Sequence, residues 1–237
     1  MDMETIIKKR LSEIGERIKD AAGRSGRSPA DIHLIVVTKR VSANIINILA
    51  RIGVKDIGEN YVQDAMAKRK ALASIANEIR WHMIGHLQRN KAKKALEVFD
   101  ILHSLDSLNL AVLLLDILGE RKKRLPVFIE VKTSEEATKF GTSSEEAFRI
   151  AEFLLSHTDV FEFMGLMTMA PYSENPESAR RYFAGLRALR DKMQERFGRN
   201  IAPYLSMGMS SDFEVAIEEG ATHLRIGDAI TGGLEGN

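Results

Sequence analysis

Apolar and polar positions along this chain repeat with two different periods, and the switches between them outline its elements. Residues 3 to 24 place Ile7, Leu11, Ile14, Ile18 and Ala21/Ala22 on one side of a 3.6-residue repeat, with charges between them. Gly23 and the Gly-Arg-Ser-Pro stretch close the pattern, which predicts an amphipathic leading helix. Eight short apolar runs then read as buried strands: His33 to Thr38, Val54 to Ile57, Trp81 to Leu87, Ile101 to Leu105, Val127 to Val131, Phe163 to Thr168, Tyr204 to Met209 and His223 to Ile226. Helical spacing fills the intervals 42 to 52, 60 to 77, 88 to 97, 107 to 121, 144 to 157, 176 to 197 and 211 to 219. Several of these open at capping residues, namely Ser42, Asn60, Ser107, Ser144 and Ser211.

Eight strand and helix units in 237 residues predict one α/β domain over residues 1–237, a parallel (β/α)8 TIM barrel with an extra N-terminal helix. A doubly wound open sheet is the runner-up, but its glycine-rich dinucleotide turn, Gly-x-Gly-x-x-Gly, is missing. In a barrel, residues at the carboxyl ends of the strands line the functional face. Those residues therefore carry the argument.

Composition narrows the chemistry. Hydrophobic residues make up 44% and charged residues 28%, a balance typical of soluble globular proteins. The 34 basic and 33 acidic side chains leave a formal charge of +1, which supplies no electrostatic footprint for nucleic acid. The basic runs 68–70, 91–94 and 121–124 read as solvated faces. With no cysteine, disulfides, thiolate zinc sites and cysteine nucleophiles are excluded, and a reducing compartment fits. The opening residues resemble neither a secretory signal nor a transit peptide. The longest apolar run, Leu108 to Leu118, falls short of the ~20 residues a bilayer span requires. A cytoplasmic protein without a membrane partner is the expectation.

At the end of the first strand stands Lys39, where an ammonium at an apolar barrel mouth would be partly desolvated, which frees the neutral amine to attack a carbonyl; a surface lysine closing a strand is the alternative. Asn60, after the second strand, either caps the next helix or presents its amide to the mouth. His82 and His86 share a face of the third run and would bind zinc only with a third ligand, so no metal site is assigned. Ser210 and Ser211, after Gly208, sit at a helix start where amides, hydroxyl and helix dipole suit a phosphate. Gly227 and the amides after it belong to the eighth strand's end, and barrels frequently build phosphate sites after strands seven and eight. Arg225 alternates inward two residues earlier and needs a carboxylate or a ligand's ring nitrogen as partner. Lysine, phosphate cradle and arginine in one mouth suit pyridoxal 5′-phosphate.

The chain closely resembles the pyridoxal phosphate homeostasis protein family, itself similar in fold to the barrel domain of alanine racemase. Seven ordered blocks carry the likeness: VVTKR at 36–40, IGENYVQDAMAKR at 57–69, WHMIGHLQRNKAK at 81–93, HSLDS at 103–107, IEVKTSEEATKFG at 129–141, GLMTMAP at 165–171 and LSMGMSSDFEVAIEEGATHLRIGDAI at 205–230. The resemblance implies a Schiff base on Lys39, Asn60 near the cofactor, phosphate contacts from Ser210, Gly227 and Asp228, and Arg225 facing the pyridine nitrogen. Two departures stand out. Many members have threonine or serine where this chain has Asp228, so only the Asp228 backbone should help hold phosphate here. Thr231-Gly232 replaces the usual Phe-Gly, which puts the last helix in question.

The resemblance favours a carrier in vitamin B6 homeostasis, with no catalytic residues assigned, that supplies or buffers the cofactor for PLP-dependent apoenzymes. A PLP-dependent amino-acid racemase or lyase is the alternative, and a phosphate-ligand barrel enzyme without the cofactor a third. The chain stops at Asn237, soon after the eighth strand, where an alanine racemase continues into a second domain. A cationic arginine at the ring nitrogen weakens the ring as an electron sink, which also favours the carrier. The first helix's apolar face leaves open a monomer or a weak homodimer.

Overall fold

The computed structural model describes residues 2–119, 124–134 and 140–234. Lys139, in the block at 129–141, and the last residues of the helix pattern ending at 121 lie outside them.

Eight parallel strands close into a barrel in sequence order: β1 (His33–Val37), β2 (Asp56–Glu59), β3 (Arg80–Met83), β4 (Ile101–Leu105), β5 (Leu125–Glu130), β6 (Phe161–Met167), β7 (Tyr204–Ser206) and β8 (His223–Ile226). The leading helix α1 (Met3–Arg24) is followed by α2 (Ala43–Arg51), α3 (Val62–Ala71), α4 (Ala92–Val98), α5 (Leu108–Leu118), α6 (Ser144–Ser156), α7 (Arg180–Phe197), α8 (Phe213–Glu218) and a short α9 (Asp228–Thr231). β1 closes the barrel on β8 with Ile35 opposite Arg225. This is the (β/α)8 arrangement the alternation predicts.

The main apolar core lies between the strands and the surrounding helices, where Ile45, Leu49, Trp81, Leu114, Ile150 and Phe183 are buried. Burying such side chains stabilises by roughly 1.5–3 kcal/mol each. The apolar face of α1 is used inside the chain: Ile7, Ile14, Ile18, Ala21 and Ala22 are buried, and Arg10 donates to the Ile230 and Gly232 carbonyls of the α9 region. Among the described residues no helix is long and apolar enough to cross a membrane.

Several expected boundaries move, each for a local reason. β7 ends at Ser206, not 209, because Gly208 adopts φ +96°, and a Cβ there would meet Ala216 at 2.7 Å. β3 stops at Met83 ahead of Gly85, whose backbone packs so closely on Asn60 that a Cβ would lie 2.5 Å from the Asn60 carbonyl oxygen. Helix α3 begins at Val62 with Tyr61 in the cap position, so Asn60 is not the cap. Ser143, not Ser144, caps α6 by accepting from the Glu146 amide. α8 starts at Phe213, which leaves Ser210 and Ser211 in the preceding turn. The questioned last helix does form: Thr231 donates from Oγ1 to Val37 O at 3.3 Å.

Candidate functional site

The carboxyl ends of the strands surround a cavity of about 640 Å³, within the usual range for small-molecule sites. Lys39, Asn60, Ser210, Arg225, Gly227 and Asp228 all line it. Residues separated by nearly two hundred positions are thus brought to one mouth by barrel closure.

Lys39 stands in the turn that follows β1, a turn closed by the Val41 amide donating to Thr38 O. Its side chain is exposed, so the partial desolvation expected from the strand end is not found; the turn carries it past the apolar rim. The support beneath is buried. Thr38 donates from Oγ1 to Glu59 Oε1 at 2.5 Å, and Lys68 of α3 donates from Nζ to the same carboxylate oxygen at 2.8 Å and to Thr38 O at 2.7 Å. Glu59 is fully buried, and this burial pushes its carboxyl above the ordinary range against the pull of Lys68 and Thr38. Its other oxygen, Oε2, has no hydrogen-bond partner among the described residues.

On the opposite side, Ser210 Oγ accepts from the Ala229 amide at 3.2 Å, tying the loop after β7 to α9. Since that bond uses an oxygen lone pair, the hydroxyl hydrogen remains able to donate. The backbone amides of Ser210, Ser211, Gly227 and Asp228 have no acceptor among the described residues. Gly227 lies so near Val37 that a Cβ would approach it to 3.1 Å. Asp228 is exposed, while its amide belongs to this group. With the Ser210 hydroxyl these amides make five donors at the cavity that could hold an anion, with little helix dipole behind them because α8 and α9 are short.

Arg225 is 4% exposed and is held from β7 and the end of β6, donating from Nη1 to Ser206 Oγ at 2.7 Å and from Nη2 to Thr168 O at 2.8 Å. Neither partner is a carboxylate, so the guanidinium keeps its positive charge without a direct ion pair among the described residues. Burial lowers its pKa to about 10, still far above neutrality. Glu130, at the end of β5, is 2% exposed and pushed up to about 7, by burial first and then by Asp106, with Arg225 opposing.

The two histidines of the third run part company. His82 points into the barrel and meets His103 and Asp56, whereas His86 pairs with Asp106 at 3.0 Å and stacks on Phe140 at 4.0 Å. No cluster of three His, Asp or Glu able to hold a metal occurs among the described residues. Sequence reasoning missed the exposed Tyr61, Phe140 and Tyr172, which line the cavity. Large aromatics just past strand ends were the available signal. It also missed Glu59 and Lys68; Glu59 is visible as the one acid in the second strand's end, but nothing marks a helix lysine nine residues later as its partner.

A family model described as the alanine racemase N-terminal domain matches residues 11–235. A pyridoxal phosphate homeostasis protein from Aquifex aeolicus is 42% identical over 231 residues, covering 94% of this chain and 96% of that protein. Among solved structures, PipY from Synechococcus elongatus, determined with PLP bound, is 34% identical with a TM-score of 0.78 over 92% of this chain and 99% of that one. A crystal structure described as an unknown protein from Bifidobacterium adolescentis superposes with a TM-score of 0.88 at 33% identity, covering 97% of both chains.

Proposed function

The chain belongs to the pyridoxal phosphate homeostasis family, a PLP-binding group within the alanine racemase N-terminal fold, and from that premise we propose that it holds PLP as a Schiff base on Lys39 and supplies or buffers it for PLP-dependent apoenzymes. One observation carries the reading: an amine, an anion cradle and an inward-facing guanidinium line the same cavity. The donor set fits the cofactor's three functional groups. Lys39 would offer its amine to the aldehyde carbon with loss of one water, Ser210 Oγ and the amides of Gly227 and Asp228 would hold the phosphate, and Arg225 would donate to the ring nitrogen. When bound, PLP supplies an electrophilic carbon and an electron-withdrawing ring.

What the residues do around it favours keeping the cofactor over turning over a substrate. Arg225, charged at neutral pH, leaves the ring nitrogen without a proton. Asn60 offers an amide that orients without titrating. The exposure of Lys39 leaves its bond open to exchange with an incoming amine, the property a donor to apoenzymes needs. The racemase or lyase alternative is supported only by the shared fold, which hosts more than one chemistry.

The test loads the protein with PLP and mixes it with a PLP-dependent apoenzyme in the presence of a kinase-free trap for free cofactor. Activation of the apoenzyme faster than free release measured with the trap alone supports supply by contact. Activation no faster than that release limits the role to buffering. No retained PLP after gel filtration removes the reading altogether.

A further inference from the structure

Below the cavity, the barrel interior carries a polar chain that meets the mouth at Arg225. Arg225 Nη1 donates to Ser206 Oγ at 2.7 Å, and the same oxygen lies 2.9 Å from His103 Nδ1. His103 Nε2 is 2.9 Å from His82 Nδ1, and His82 Nε2 is 2.9 Å from Asp56 Oδ1. Arg80 closes the far end by donating to Asp56 Oδ2 at 2.6 Å. Ser206 and His103 are fully buried and His82 is 2% exposed, so the middle of the chain is shielded from solvent, while its far end at Arg80 is exposed.

Barrels of this type usually fill their interior with branched aliphatic residues, and each buried polar group costs stability unless partnered. Here His103 stacks on Phe128 at 4.4 Å, which pins its ring plane, and both its nitrogens are bonded. Donor chemistry then sets the direction of the bonds. Arginine can only donate, so Ser206 Oγ accepts from it; an ionised Asp56 can only accept, so His82 Nε2 donates. Hydrogen bonds from His82 and Arg80 hold Asp56 below its ordinary pKa in spite of burial, and burial keeps His103 neutral. Ser206 is fully buried and its hydroxyl hydrogen has no other partner among the described residues, so it donates to His103 Nδ1, and the neutral His103 donates from Nε2 to His82 Nδ1. The Ser206 hydrogen is thereby turned away from Arg225 and its lone pair toward it.

We propose that Ser206 and His103 are positioning residues for the cofactor ring: they fix the Arg225 guanidinium in the plane from which it meets a ring nitrogen, although neither lines the cavity. The proposal rests on the reading of the mouth as a PLP site. Without the His103 acceptor the Ser206 hydroxyl is free to turn its hydrogen toward Arg225, and the guanidinium loses one of its two anchors.

The experiment compares the affinity of PLP with that of its 1-deaza analogue, in which carbon replaces the ring nitrogen, by titration followed through the visible absorption band. The unaltered protein prefers PLP. Ser206→Ala and His103→Leu are expected to shrink that preference roughly tenfold while leaving the analogue's affinity within about twofold. His103→Asn, whose amide oxygen sits near the Nδ1 position, is expected to restore most of it. Equal weakening of both ligands indicates a merely structural role and overturns the proposal. If Arg225→Met removes the preference while Ser206→Ala leaves it intact, the positioning role is wrong and the ring-nitrogen reading survives. Should Arg225→Met leave the preference unchanged, the ring-nitrogen reading itself is wrong. Ser206→Ala deletes a single atom, so it decides the matter even if His103→Leu does not fold.

Discussion

Ser210 is the residue whose chemistry divides most cleanly, because its oxygen is committed to the Ala229 amide while its hydrogen remains to donate. Losing a bond to a charged group costs roughly 1.5–3 kcal/mol, about ten- to a hundredfold in affinity. Ser210→Ala should accordingly weaken PLP by that factor and leave pyridoxal, which lacks the phosphate, nearly unchanged in parallel titrations. Equal losses would remove the phosphate role. Glu130 makes a different prediction. Its carboxyl releases a proton near pH 4.5 when unfolded and at about 7 when folded. Between those values the native state binds more protons than the unfolded state, so stability falls as pH rises. The loss is on the order of 3 kcal/mol, complete above about pH 7. Urea unfolding of Glu130→Gln from pH 5 to 8 should lack this falling limb, and matching profiles for the two proteins would contradict the assignment. At this scale the gathering of Lys39, Asn60, Ser210, Arg225, Gly227 and Asp228 around one cavity was legible because strand ends in a barrel face one way. Glu130 and Glu59 were not, since burial of a carboxylate depends on neighbours distant in sequence.

Elements place these residues through a few ties. Glu59 at the end of β2 binds both Thr38, next to Lys39, and Lys68 of α3, so three elements meet on one carboxylate. Removing it leaves a cation that is only 13% exposed without its anion. Glu59→Ala should destabilise the fold by about 3 kcal/mol in urea, with Glu59→Gln costing less because one acceptor remains. A change below about 0.5 kcal/mol for the alanine variant would show that the tie carries no strain of charge. Strand and helix existence was legible from periodicity, and β4, β8 and α1 match the expected limits. The ends of β3 and β7 moved at glycines. Gly208 turns left-handed, and Gly85 lets two backbones approach, effects that hydrophobic patterning does not register. The extended third run and the longer seventh run were overread for that reason.

For the whole molecule, the barrel gathers residues from the ends of β1, β3 and β8 and from the segments after β2, β6 and β7 around one cavity, and the chain belongs to a PLP homeostasis family. Distinguishing a carrier from an enzyme needs a measurement of turnover. Incubating the PLP-loaded protein with L- and D-amino acids in deuterium oxide should give no α-proton exchange at several turnovers per second. Exchange at that rate, lost in Lys39→Ala, would make the protein an enzyme. The central claim, that Lys39 holds the cofactor, is tested most directly by borohydride reduction of the PLP-loaded protein followed by peptide mapping. The account predicts one stable adduct, on Lys39, absent from Lys39→Ala although that variant still folds. An adduct on Lys91, which also lines the cavity, or on Lys139 in the unaltered protein would contradict it.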